Sequence, residues 1–475
     1  MRPVILSALF SISLFAALPA TTVIEVRPTH GSDSYGGCFD SAKAGTDYSQ
    51  QNSAQYNFTD LATSNGTANP AVVSSASHSF VSADVGNCIH ISAGTNWTVG
   101  WYEIVSVSGG NATLDRAAGS SVGSLSGGTW YEGGALATMV QANTIAVAGA
   151  ITWVKAESTI TTSSTITLNQ AASNAGQEPA FMGYSSTRGD QGQVTITTTT
   201  TSVGPLVSVN SQGMTFANFI INCNSESGSN GVQMATSPER LFNILVENCQ
   251  QQYGIEMNST EQTCSLCTVK SQGGGNSFLL QNGYNQFCFI CVAVNGSVAA
   301  FSIASGAVCD ICIAANNSGA SSDGFVLTAV SQAVFACVRC LAVSNGRDGF
   351  RLALGQWVGF TFVDSIAYGN SGYGMNNTTS YNPTGMLWWD YNAYGSNTSG
   401  NLNNLSSGAH DKTLALNPFV NSASNNFALS AAGITALGGN GFPGALPVGG
   451  TGYLDIGPIQ HQSTGGGQKG FPIVQ

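Results

Sequence analysis

Charge is what this sequence has least of: only 8% of its 475 residues are Asp, Glu, Lys or Arg. The 13 Lys and Arg residues form no cluster able to follow a phosphate backbone, which argues against nucleic acid as a partner. Scarce Glu and Lys deprive helix faces of their usual residues, so a helical protein is excluded. Disorder needs low hydrophobicity with high charge, whereas 43% of this chain is hydrophobic. Beyond the first twenty residues no apolar run is long enough to span a bilayer. The net charge of −11 is spread thinly and identifies no substrate. His30, His78, His90, His410 and His461 are dispersed and show no metal spacing.

The amino terminus carries what the rest lacks. Arg2, a mostly apolar stretch from Val4 to Leu18, and the small residue Ala20 after Pro19 have the layout of a cleaved secretory signal. The expected location is therefore extracellular or at the cell surface. Runs rich in Thr and Val, such as Gln193 to Thr201, favour strands because β-branched side chains fit a pleated surface.

One phrase recurs, a small residue followed by an apolar one: Gly231-Val232, Gly254-Ile255, Ser277-Phe278, Ala300-Phe301, Gly324-Phe325, Gly349-Phe350 and Gly374-Met375. Its spacings are 23, 23, 23, 24, 25 and 25 residues. A second phrase precedes it as Cys288-Phe-Ile-Cys291, Cys309-Asp-Ile-Cys312, Cys337-Val-Arg-Cys340 and Phe362-Val-Asp-Ser365. Turn residues that tolerate left-handed backbone follow, at Asn295-Gly296, Asn345-Gly346 and Asn370. A propeller blade needs about forty residues, and a leucine-rich repeat needs a Leu ladder and a helix. Three short strands per turn of coil fit the period.

The expected fold is all-β: a right-handed parallel β-helix of about 24 residues per turn behind a small N-terminal β domain. The expected divisions are a signal peptide at 1–20, an N-terminal β domain or cap at 21–138, the coil at 139–437 and a Gly/Pro-rich tail at 438–475 that wraps back along the coil. If coil runs from Ile151 to Leu429, eleven or twelve turns make a rod of roughly 55 Å.

The chain resembles the pectate-lyase-like right-handed parallel β-helix superfamily, in a secreted and phage-like branch. The phrases that carry this are Gly45-Thr-Asp-Tyr-Ser-Gln50, Asp84-Val-Gly86 with Gly100-Trp-Tyr-Glu-Ile104, Gly183-Tyr-Ser-Ser-Thr-Arg-Gly-Asp190, Asn417-Pro-Phe-Val420 and Leu454-Asp-Ile-Gly457. The resemblance implies an architecture and not a reaction, since the superfamily includes lyases, hydrolases, esterases, adhesins and tailspikes. Lyases of this kind use a Lys or Arg base, often with Asp-bound calcium; the hydrolase Gly-His-Gly is absent here. Tailspike-like relatives are trimers, which leaves a homo-oligomer open.

Twelve cysteines form a pattern. Four Cys-x-x-Cys motifs stand at Cys264/Cys267, Cys288/Cys291, Cys309/Cys312 and Cys337/Cys340. The gap from Cys267 to Cys288 matches a four-cysteine zinc spacing, but every motif lies on the apolar repeat without a knuckle loop, so a structural role is expected instead of a metal. That role is either disulfides across coil corners or a ladder of small buried thiols. Export favours oxidation, so at least part of these motifs is expected to be disulfide-bonded, and counting leaves Cys223 with Cys249 and Cys38 with Cys88.

Catalytic candidates are few. Asp323 and Asp348 precede the repeated Gly-Phe and stack one turn apart, with Arg347 and Arg351 beside them. Arg351 is the candidate base, and the two Asp residues the candidate holders of calcium or substrate. Against that, an Asp before Gly commonly bonds a turn, and Arg351 can simply pair with it. Arg188-Gly-Asp190 reads as a turn with a local ion pair. Trp388, Trp389 and Tyr391 are candidates for stacking on sugar rings, with packing at the coil end as the alternative. The expected function is a secreted or surface β-helix that binds a polysaccharide or cell-surface glycan, or is structural, without a compact catalytic site. The alternative is a lyase or hydrolase on an acidic polysaccharide.

Overall fold

A computed structural model describes residues 23–39, 52–146, 149–170, 178–304, 306–328, 334–353, 359–379, 385–441 and 456–458. The expected signal peptide, and all of the 438–475 tail except 438–441 and 456–458, lie outside them, as does the Gly45 to Gln50 phrase. No helix among the described residues is long and apolar enough to cross a membrane.

The chain is a three-sided coil of parallel strands. The first side runs from Ile151–Lys155 through Gln286–Phe289 to Gly385–Asp390. The second runs from Ile160–Thr162 to Lys412–Thr413, and the two are continuous where Thr215–Asn222 and Arg240–Glu247 pass through both. The third is a 10-stranded sheet from Ile166–Leu168 to Gly400–Asn403. The apolar residue of every repeated phrase falls on this third side, and Phe278, Phe301, Phe325 and Phe350 pair in register. Ten strands make nine steps, and at about 4.8 Å each the rod is roughly 43 Å long. That is shorter than the repeat alone implied, for two reasons. The first step, from Ile166 to its partner Val207, takes 41 residues, and the coil ends at Thr413, where Phe419–Asn421 and Asn426–Leu429 turn back antiparallel.

Inside, like residues stack on like. The rings of Phe278, Phe301, Phe325 and Phe350 lie 4.6, 4.7 and 4.7 Å apart and within 8° of parallel. That spacing equals the distance between neighbouring strands, so one stacking geometry repeats down the core. Beside it runs an asparagine ladder: the Nδ2 of Asn317, Asn345 and Asn370 donates to the Oδ1 of Asn345, Asn370 and Asn397 in turn, at 2.7, 2.9 and 2.9 Å. Each buried amide is thereby satisfied within the core. Asn345 and Asn370 are thus ladder members and not the left-handed turn residues expected; those are Ser344 and Gly369, one position earlier.

At the amino-terminal end, six strands between Tyr56 and Glu132 close a small antiparallel barrel. The strand before it, Val23–Val26, pairs in parallel with Ile151–Lys155 and so belongs to the coil. Met139–Ile145 is a short helix, capped by the Thr138 hydroxyl, whose Met139 and Ala142 are buried over the coil's end. At the other end, Phe419, Phe427, Leu437 and Ile456 pack on the outside of the second side, against Ile313, Leu341, Ile366 and Ala393. The chain therefore wraps back along the coil from Phe419 onward, earlier than the tail expected from Gly438.

Cys38–Cys88 and Cys223–Cys249 are disulfides, each with Cα atoms 4.8 Å apart. Disulfides within the four motifs are the expectation for an exported chain; the eight motif cysteines instead stand buried as free thiols, the ladder alternative, with Cys291, Cys312 and Cys340 turned to backbone carbonyls of the preceding coil.

Candidate functional site

Asp323 and Asp348 do stack one coil apart, and both are buried. Asp323 accepts Arg347 through Nε at 2.7 Å and through Nη2, Arg351 Nε at 2.8 Å, and the Asp348 backbone N–H at 3.1 Å. Its hydrogen bond raises the Arg347 pKa above the ordinary guanidinium value, against an opposing effect of burial and with its negative charge adding to the rise. Asp348 accepts the Tyr373 N–H and the Asn376 amide, each at 2.8 Å. Calcium needs six to eight oxygen ligands. Here one carboxylate is filled by two guanidinium groups and the other by amide donors, so the pair does not fit a divalent cation. The arrangement closes a coil edge: two cations over one buried anion.

The sequence-predicted aromatics separate. Trp389 turns into the core end, with its ring 5.2 Å from Phe362 and 5.7 Å from Phe360. Tyr391 stacks on His410 at 4.5 Å, while Asp390 holds the same imidazole at 2.6 Å. Burial pushes the Asp390 carboxyl up, but hydrogen bonds from the His410 ring and backbone hold it below the usual range. Trp388 lies on the outward side of the first face.

That outward side is where sequence reasoning missed most. Strand alternation points Phe287 and Phe289 away from the core while Gln286 and Cys288 point in. Register then places Phe287, Val308, Ala336, Thr361 and Trp388 in one outward column. Phe242, Ser265, Phe289, Asp310, Val338, Val363 and Asp390 form the next. Phe287 and Phe289 are half-buried, with ring centroids 6.1 Å apart and planes 15° from parallel. Beside them Arg339 makes a two-pronged pair with Asp310, Nε to Oδ1 at 2.9 Å. Burial pushes the Asp310 carboxyl above its ordinary value, and Arg339 pulls it back. The signal lay in the motifs themselves: the residue after each first cysteine must face outward, and two of those positions are Phe289 and Asp310.

Elsewhere charge gathers at the first coil. Arg188 does not pair with Asp190; it reaches Glu25 at 2.8 Å, 163 residues away in sequence. Asp190 instead accepts backbone N–H groups of Ser185, Ser186, Thr187 and Gly192. Burial pushes its carboxyl up, but those bonds together hold it well below the usual range. Glu25 and Arg27 are buried, with Glu157, Lys155 and His30 closing the group toward solvent. In the barrel, ligand atoms of His78, Asp84 and Glu132 lie within 4.8 Å of one another. His78 stacks on Tyr56 at 3.7 Å and bonds Asp84 at 3.1 Å.

No protein-family model matches the chain, and no curated protein does. Solved structures do. Pectate lyase Pel9A superposes with a TM-score of 0.55 at 17% identity, over 69% of this chain and 92% of that one. The fold is the right-handed parallel β-helix of pectate lyase. A rhamnogalacturonan lyase aligns at 15% identity and TM-score 0.39, over 60% of this β-helix protein and 86% of its own chain. The pectin methylesterase of Aspergillus niger aligns at 13% and 0.35, over 57% and 88%. In this β-helix protein the outward first face, and not the Asp323 edge, carries aromatic and polar groups side by side.

Proposed function

We propose that this protein is a secreted β-helix that binds a glycan along the outward side of its first face and does not turn it over. The observation that carries the reading is the Phe287–Phe289 pair beside the Asp310–Arg339 ion pair. Aromatic rings offer flat apolar surface to the C–H face of a pyranose, and the flanking charged pair offers hydrogen bonds to its hydroxyls. Trp388 extends the same column four coils along, about 19 Å at the strand spacing. Catalysis is disfavoured by the Asp323 edge, where Arg351, the sequence-predicted base, donates into a buried carboxylate. Secretion is supported by the two disulfides, which persist in oxidising compartments.

The test is binding of the purified protein to pectin, alginate, glycosaminoglycans and neutral glycans. Phe287→Ala and Phe289→Ala are each expected to weaken binding at least tenfold while circular dichroism stays unchanged. Unaltered binding would move the site off this face. The same polymers, followed for unsaturated-uronate absorbance and new reducing ends with and without calcium, test turnover. Activity abolished by Arg351→Ala would replace the binding reading with a lyase.

A further inference from the structure

The eight reduced cysteines form two columns at the corner between the first and second sides. Cys264, Cys288, Cys309 and Cys337 stack in register, with Phe362 next in line. In the other column the thiols of Cys291, Cys312 and Cys340 donate to the carbonyls of Cys264, Cys288 and Cys309 on the preceding coil, at 3.3, 3.4 and 3.3 Å. One coil further, Ser365 makes the equivalent bond to the Cys337 carbonyl with its hydroxyl, and Asn392 bonds the Phe362 carbonyl through its amide. Capping this corner therefore does not require sulfur.

At one end of the columns the thiols do more than stack. The sulfur atoms of Cys264 and Cys267 from one coil and Cys291 from the next lie within 4.8 Å of one another, fully buried. Three sulfurs around one ion at about 2.3 Å stand roughly 4 Å apart, so small side-chain rotations close the group. Cys288, which a four-cysteine zinc site would need, is not within that distance of all three.

We propose that Cys264, Cys267 and Cys291 form a three-sulfur site for a soft, thiophilic monovalent cation, copper(I). Sulfur ligands select soft ions, and a trio without a fourth donor suits copper(I) better than tetrahedral zinc. Thiolate, and not thiol, is the ligand form of cysteine, so each coordinating sulfur releases its proton to solvent as the ion binds. Because the site is closed on every side, the ion enters as the coils stack.

The experiment refolds the full chain anaerobically with copper(I), using a colorimetric chelator as competitor. The wild type is expected to retain a first equivalent through gel filtration, with a sulfur-to-copper charge-transfer band in the near ultraviolet. Cys291→Ser, which keeps the corner bond as Ser365 does, is expected to bind at least tenfold more weakly; Cys340→Ser is expected to bind as the wild type does. X-ray absorption on the wild type, which needs no variant to fold, is expected to show a shell of sulfur alone. Failure to retain copper, equal retention in Cys291→Ser, equal loss in both variants, or nitrogen and oxygen in the shell would each overturn the proposal. So would mass spectrometry showing these three cysteines disulfide-bonded in the protein as isolated.

Discussion

The carboxylate of Asp323 accepts the backbone N–H of Asp348, its counterpart one coil on, at 3.1 Å. One buried anion thus ties two coils and anchors Arg347 and Arg351. Asp323→Ala strands the Asp348 N–H and both guanidinium groups, so it is expected to cost about 3 kcal/mol in chemical unfolding. Arg351→Ala leaves Arg347 in place and is expected to cost no more than about 1 kcal/mol. An inverted order would mean that Arg351, not Asp323, holds this edge.

A pH dependence resides at Glu239. Burial pushes its carboxyl up to about 7, against hydrogen bonds from Thr236, Ser211 and Gln262 that favour the anion. A folded pKa above the unfolded one means that its stabilising contribution is complete below about pH 4.5 and disappears as pH rises through 7. Melting temperature should therefore fall between pH 5 and pH 8. In Glu239→Gln, which cannot ionise, that part of the decline should be absent; an identical profile would place the titration elsewhere.

The asparagine ladder is a chain of mutual dependence. Asn370 accepts from the Asn345 backbone and side chain at 3.0 and 2.9 Å, and donates to Ala342 and Asn397. Asn370→Ala removes the side-chain acceptor of the buried Asn345 N–H and takes one bond each from the Asn345 amide, the Ala342 carbonyl and the Asn397 amide oxygen, a loss of about 3 kcal/mol. Hydrogen exchange should quicken first at the Asn345 amide, whose acceptor has gone.

Inward and outward phenylalanines should behave oppositely. Phe325 sits between two parallel rings, so Phe325→Ala opens a cavity and is expected to cost about 3 to 5 kcal/mol. Phe287→Ala removes a half-buried outward ring and is expected to cost less than about 1 kcal/mol while weakening glycan binding. Comparable destabilisation by both would argue that Phe287 belongs to the fold and not to a site.

The repeat was legible because stacking forces it: a coil that buries Phe278 above Phe301 must return after a nearly constant number of residues. Alternation in the strands followed for the same reason. Both disulfide partnerships came from counting cysteines. The coil number did not follow, because the long first step from Ile166 to Val207 and the hairpin after Thr413 keep strand-like composition without keeping the period. Asp323 with Arg351 was visible because both lie on the repeat. Arg188 with Glu25 was not, since folding brings together residues 163 apart and the nearer Asp190 was the local guess. The outward aromatic face needed the inward direction of the cysteines to be fixed before Phe287 and Trp388 could be seen to share a column.

The strand Val23–Val26 lies beside Ile151–Lys155, so the barrel is an insertion between two neighbouring rungs and not a head on a stalk. Both of its attachments enter the rod at adjacent strands, and Cys38–Cys88 adds a third, covalent one from the strand segment beside the first rung to the barrel. A pull on the barrel therefore loads two neighbouring paired strands and a disulfide at the same time. If the rod stands between a surface and a polymer, that joint transmits tension.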